Sequence, residues 1–317
     1  MKVGSFVPEQ AGRVLYAMAG DDCSLHHDLA ALTPKQQVDH RENQILTCAL
    51  QLALIGLGKA SDQVALAREF QDEPWQQLLE HYRMLFSGMG LGAVSSDNLQ
   101  YHDLDSFYEA LAARNHDVDL INLYMVSGGN AVLHQDTEAL TVSRNVNSKV
   151  HFAAHAPAAG IPVPETSVFS KAAIDGGEAD GFFAAHPEGL MVKLLGLAGA
   201  RNVFQAASVQ DCKDQIAEFP AQSPVLLQEI LDTGRWREMT VDLTITPESV
   251  NISNVRQILF AGGKWVGNFI SPELPLTPAH RATLERVGTY ARDQGHVATE
   301  GVNCGVDYFI DGDDVTV

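Results

Sequence analysis

The sequence has 317 residues, 45% hydrophobic and 19% charged, a composition that suits a globular chain of two or three compact modules and excludes a largely disordered one. Its 40 Asp and Glu against 21 Lys and Arg leave a formal charge of −19. That field repels phosphate backbones and anionic lipid, so no nucleic-acid and no membrane partner is expected. The four cysteines, Cys23, Cys48, Cys212 and Cys304, show no CxxC spacing. Zinc and thioredoxin-like chemistry therefore lack support, and sparse cysteine fits a reducing, cytoplasmic compartment.

No long apolar stretch opens the chain as a secretory signal would. The most apolar segment, 45–57, is interrupted by Thr47, Gln51 and Gly56 and is too short to span a bilayer. Residues 2–7 read as a short strand. Residues 34–57 read as a helix, with Thr33 as cap, Pro34 in the first turn, and Gly56 and Gly58 at the end. The apolar residues Val64, Leu66, Phe70, Trp75, Leu78, Leu79 and Tyr82 suggest further helix over 63–83, broken at Pro74. Residues 88–92 form a loop, and 104–115 an amphipathic helix with Leu104, Phe107, Tyr108 and Leu111 on one face. The dense apolar run 118–126 reads as a buried parallel strand followed by a loop at 127–130. This alternation makes residues 1–140 an α/β module.

Beyond it, 149–159 reads as a helix ended by Gly160, and 161–164 as extended chain. Strands are expected at 189–195, 225–230, 238–245 and 251–260, with Gly262-Gly263 as a tight turn. A helix follows at 278–294, then a strand at 306–310 and a hairpin turn at 311–314 into 315–317.

Three stretches hold residues suited to a nucleotide. In GLMVKLLGLAGARNVF (189–204) a strand delivers Lys193, and a small-residue loop with Gly196 and Gly199 follows at once. Such a loop lets backbone N–H groups approach phosphate oxygens, and a lysine adds a point charge; taken alone, a bare surface loop explains it as well. In VLLQEILDTGRWREMTVDLTI (225–245) an apolar strand runs through Gln228-Glu229-Ile230-Leu231 into a polar turn, and a second strand opens at Glu238; an ordinary β-hairpin is the competing account. In GVNCGVDYFIDGDDVTV (301–317) Asp307 interrupts an apolar strand, as a hydrogen-bonded core group or a metal ligand would.

The order of these elements carries more than any one of them. Residues 145–166, NVNSKVHFAAHAPAAGIPVPET, supply Asn-x-Lys, a helix and Gly-Ile-Pro-x-Pro. The lysine strand and glycine loop, the Gln-Glu-x-Leu segment, Glu-x-Thr-Val-Asp and Gly-x-Asp-Tyr-Phe-Ile follow in sequence. Over 145–317 this resembles the ATP-grasp superfamily of the carboxylate–amine ligase type. The resemblance implies an α/β chain with a pre-ATP-grasp-like module at 1–140, then a two-lobed α+β ATP-grasp fold. Its small lobe would occupy 141–226 and its large lobe 227–317.

By the same resemblance Lys149 and Lys193 hold ATP phosphates, and Gly196 to Arg201 form a loop closing over them, Arg201 adding charge. Gln228 and Glu229 receive the adenine amino group, Leu231 supplies an N–H, Glu238 lies near the ribose, and Asp307 is the first Mg²⁺ ligand. Arg256 lies where such enzymes bring a cation to an acyl phosphate; a surface ion pair is the equal alternative. The family's Glu-x-Asn pair, due on the strand after Asp307, would fall where the sequence stops at Val317, so the large lobe reads as truncated. The implied activity is ATP-dependent joining of a carboxylate and an amine, both small molecules. A non-catalytic ATP binder and an ATP-grasp phosphotransferase remain alternatives. The oligomeric state stays open, a homodimer among the options. His151 and His155, spaced i,i+4, lack the Glu of a HExxH site and read as surface or capping residues.

Overall fold

A computed structural model describes residues 2–5, 7, 11–20, 23–27, 29–92, 94–195, 203–261 and 264–317, without side-chain detail at Ala31, Ala53, Leu54, Gly56, Leu57 and Lys264. The described chain falls into two compact units, one within 1–144 and one comprising 145–195 and 203–317.

In the first unit five strands form a wholly parallel sheet: β1 (Lys2–Gly4), β2 (Val14–Tyr16), β3 (Gln63–Ala67), β4 (Leu99–His102) and β5 (Leu120–Asn122), in the order β1-β5-β2-β3-β4. Between them run α1 (Pro34–Leu57), α2 (Glu73–Gly88) and α3 (Phe107–Ala112). Helix α1 has the limits its capping signals imply: Gln36 N donates to Thr33 Oγ1 and Thr33 N to Gln36 Oε1. Leu15, Val64, Leu66, Phe70, Phe107, Leu111 and Ile121 are among the residues of its core.

The helix expected over 63–83 is corrected. Val64 to Ala67 form a strand buried on both faces, Arg68–Gln71 make a 3-10 turn, and the α-helix starts only at Glu73. A short, continuously apolar run fits a central parallel strand as well as a buried helix turn. Pro74 opens α2 instead of breaking a helix, because the first turn needs no N–H from it.

The second unit contains two antiparallel sheets. One is built from β6 (Thr166–Ser170), β7 (Leu190–Leu194), β8 (Val203–Ala206) and β9 (Pro224–Glu229), in the order β6-β9-β7-β8. The helix α4 (Lys149–His155) precedes it and stops at a 3-10 turn whose cap, Gly160, has φ 69°. The other sheet holds β10 (Arg237–Ile245), β11 (Val250–Ala261), β12 (Lys264–Phe269), β13 (Val302–Asp311) and β14 (Asp314–Thr316), in the order β12-β11-β10-β13-β14. Helix α5 (Pro278–Asp293) covers one face of it.

The alternation along β10 sorts the two faces. Met239, Val241, Leu243 and Ile245 are fully buried, and Tyr308 of β13 joins them; Leu284, Val287, Tyr290 and Ala291 of α5 are buried as well. Helix and strand meet so closely that a Cβ on Gly288 would lie 2.4 Å from Val250 Cγ1, so any larger residue there forces a shift. The intervening Glu238, Thr240 and Asp242 remain half-buried on the opposite face, where the polar chemistry collects. Among the described residues no helix is long and apolar enough to cross a membrane.

Candidate functional site

The site is assembled from β7, β9, β10, β13 and the start of α4. On β7 Leu190, Val192 and Leu194 are buried in the core of the four-stranded sheet, so the period of two turns Lys193 to its other face. There Lys193 Nζ donates to Gln228 Oε1 at 2.5 Å, and Gln228 Nε2 donates to Thr166 Oγ1 at 2.9 Å. Three neighbouring strands thus fix one ammonium group.

Burial pushes the Lys193 ammonium down to a pKa of about 8, the charge of Lys149 adds to that effect, and Glu238 and Asp307 oppose it. Lys149 is the first residue of α4, whose cap Ser148 accepts from His151 N at 3.1 Å. Glu238 is shifted the other way: burial raises its carboxyl above the ordinary range, the Asp307 charge raises it further, and Lys193 pulls it back. The structure therefore brings together Lys149, Lys193, Gln228, Glu238 and Asp307. Two cations repel each other across one part of this cluster and two carboxylates across another.

Asp307 is solvent-exposed on β13, directly opposite Thr240; Thr240 is in turn opposite Arg256 on β11. Arg256 is not a bare cation. Its Nη1 and Nη2 donate to Asp242 Oδ2 and Oδ1 at 2.9 and 3.0 Å, and Asn254 Nδ2 donates to Asp242 Oδ2 at 2.8 Å. These hydrogen bonds, Arg256 first, hold the Asp242 carboxyl below its usual range against the effect of burial.

At the end of β9, Glu229 is occupied locally. Its Oε1 accepts from Glu165 N and its N donates to Glu165 O, both at 2.9 Å. Leu231 follows at the mouth of a turn headed by Asp232, which accepts from Gly234 N, Arg235 N and Trp236 N. Among the described residues the Leu231 N–H has no hydrogen-bond partner. Gly196, Gly199 and Arg201, like the Gly262-Gly263 turn, lie outside the described residues.

From the sequence no role falls to Thr166 or Asn254, nor to Asp242, although Asp242 closes the Glu-x-Thr-Val-Asp motif. Asp242 had a signal: it is the third polar residue on the alternating strand after Glu238 and Thr240, hence on the same face. The role of Asn254 depends on a bulge, which alternation does not reveal. The His151 and His155 rings stack at 4.1 Å, and His151 Nδ1 meets the Tyr290 hydroxyl at 2.8 Å, a packed arrangement. No group of three or more His, Cys, Asp and Glu suited to a metal ion occurs among the described residues.

Chemically, the lysine pair favours an anion that restores full charge to Lys193, and the Glu238–Asp307 pair favours a cation. A divalent cation held by one or two carboxylates, with ligand phosphates completing its shell, suits this donor set.

No protein-family model matches the chain, and no curated protein matches it in sequence. Solved structures do. N5-carboxyaminoimidazole synthetase from Staphylococcus aureus, complexed with ADP, is 10% identical with a TM-score of 0.58, over 98% of this chain and 70% of that one. Phosphoribosylamine–glycine ligase from Thermotoga maritima is 12% identical with a TM-score of 0.55, over 96% of this chain and 67% of that one. D-alanine–D-alanine ligase from Coxiella burnetii is 12% identical with a TM-score of 0.52, over 96% and 84%. At such identities the likeness is one of fold: the chain has an ATP-grasp fold preceded by an α/β module.

Proposed function

We propose that this chain, folded like the ATP-grasp ligases, binds ATP and uses it to activate a small carboxylate for capture by an amine. The observation that carries the reading is the half-buried Lys193. It is fixed by Gln228, crowded by Lys149 and faced by Glu238 and Asp307. A desolvated cation beside a second cation gains from an added anion, and a polyphosphate supplies one.

In this reading the nucleotide lies between a small lobe, 141–226, and a large lobe, 227–317. Lys149 and Lys193 hold its phosphates. Gln228 and Glu229 receive the adenine amino group, the Leu231 N–H donates to the ring, and Glu238 lies by the ribose. Asp307, with Glu238 beside it, would hold Mg²⁺, which would supply positive charge against the phosphates.

The lysines stabilise the charge on the γ-phosphoryl group as a substrate carboxylate attacks it in line and ADP leaves. The amine then attacks the carbonyl carbon of the acyl phosphate, expelling phosphate and leaving an amide. Arg256 is the cation presented to the transferred phosphoryl group. Positioning and charge do the chemistry, so no protein nucleophile is required. The solved structure with ADP bound belongs to a protein of this fold, which supports the nucleotide part. A cytoplasmic location is consistent with the substrates.

ADP release measured across panels of carboxylates and amines tests the activity. A carboxylate and an amine together should raise it above the rate with either alone, and Lys193→Ala should abolish the rise. An undiminished rate in Lys193→Ala would overturn the phosphate role.

A further inference from the structure

We infer that Asp242 and Asn254 are positioning residues that fix the Arg256 guanidinium toward the transferred phosphoryl group, an inference that rests on the nucleotide reading above. The local geometry is unusual in three linked ways. Between Thr240 and Asp242 the pairing of β10 with β11 slips: Thr240 opposes Arg256, but Asp242 opposes Ser253, so β11 carries an extra residue. Asn254 lies in that bulge with φ 51°, a left-handed conformation that asparagine tolerates better than most residues other than glycine. Its side-chain amide donates to the carboxylate oxygen, Asp242 Oδ2, that also receives Arg256 Nη1.

The bulge therefore does two things at once. It sets Arg256 opposite Thr240, in the row that ends at Asp307, and it sends the Asn254 amide back onto the carboxylate that anchors Arg256. Without the extra residue the alternation along β11 would shift by one, and Arg256 would leave this face. Arg256 Nε is buried and has no hydrogen-bond partner among the described residues. The guanidinium is thus held by its two terminal nitrogens, both through Asp242. A planar group gripped on one edge by a carboxylate, itself gripped by an amide, has its direction fixed before any ligand arrives.

Orientation and plain electrostatics predict opposite signs, which makes the inference testable. Asp242→Asn removes a negative charge next to an anion site. If charge alone mattered, the variant would bind a phosphoryl mimic more tightly. If Asp242 aims Arg256, the variant binds it more weakly. The readout is the ratio of affinities for ADP with Mg²⁺ and aluminium fluoride, which mimics a phosphoryl group in transfer, and for ADP with Mg²⁺ alone.

Asp242→Asn should lower this ratio about tenfold, as loss of a charge-assisted, two-point anchor implies. Asn254→Gly keeps the left-handed backbone and loses only the amide; it should lower the ratio by a smaller factor, about threefold. This variant also keeps the test alive should Asp242→Asn fail to fold. Combined with Arg256→Lys, Asp242→Asn should add little further loss, because the group it aims is already gone. An unchanged or raised ratio in both single variants overturns the inference while ADP binding leaves the nucleotide reading intact. A parent chain whose ADP affinity is not raised by aluminium fluoride overturns the inference as well. A parent chain that does not bind ADP at all overturns both.

Discussion

Binding of Mg-ATP should draw a proton onto Lys193, and the amount should depend on pH in a way the structure fixes. With the site empty, burial first and Lys149 second hold the ammonium at a pKa of about 8, against an ordinary value of 10.5. At pH 9 such a lysine holds about 0.1 of a proton. A polyphosphate beside it restores the charged form, so binding at pH 9 should take up about 0.9 of a proton, whereas at pH 7 uptake should be about 0.1. ATP itself is fully deprotonated at pH 9, so the nucleotide does not mask the effect. Calorimetric titrations in buffers of different ionisation enthalpy measure the uptake directly.

Stability provides the companion measurement. The folded-state pKa lies below the unfolded one, so between about pH 8 and 10.5 the unfolded chain binds more protons, and the contribution of Lys193 to stability rises with pH. The full rise is on the order of 3 kcal/mol. Lys193→Met should remove both the uptake and the rise. ATP binding at pH 9 without proton uptake would refute the claim that nucleotide phosphate is what Lys193 awaits.

Two further predictions concern the frame that holds the site. Tyr308 is fully buried, and its hydroxyl has no hydrogen-bond partner among the described residues; Tyr308→Phe should raise stability by about 1 kcal/mol in thermal or urea unfolding, and a loss of stability would point to an unseen partner. Gly288→Ala should destabilise the second unit by about 1–3 kcal/mol, because its new Cβ meets Val250 Cγ1; an unchanged melting temperature would show that α5 can shift freely against β11.

Much of the second unit was legible because its signals are local. Pro278 starts α5, and Gly160 ends the helical segment begun at Lys149. The alternation from Glu238 to Ile245 separates a core face from a polar face in the sequence itself. Lys193 stands out for the same reason, as a lysine among apolar residues whose neighbours on the strand are buried.

What was not legible depends on pairing between distant segments. Val64 to Ala67 look alike as helix or strand until β2 and β4 flank them. The three residues of β2 are too few to show any period. Thr166 acquires its role only because β6 lies against β9, and Asp242 becomes the anchor of Arg256 only through the bulge at Asn254. Arg256 was open to two accounts, and the structure supplies its ion pair with Asp242 without removing it from the row that reaches Asp307.

The most direct test of a nucleotide site in the second unit is calorimetric titration of the chain with Mg-ATP, alongside Lys193→Ala and Leu231→Pro. The first variant removes the phosphate cation, and the second removes the N–H offered to adenine. The account predicts one site per chain, lost or strongly weakened in each variant while both remain folded. No binding to the parent chain, or equal binding to all three, would contradict it.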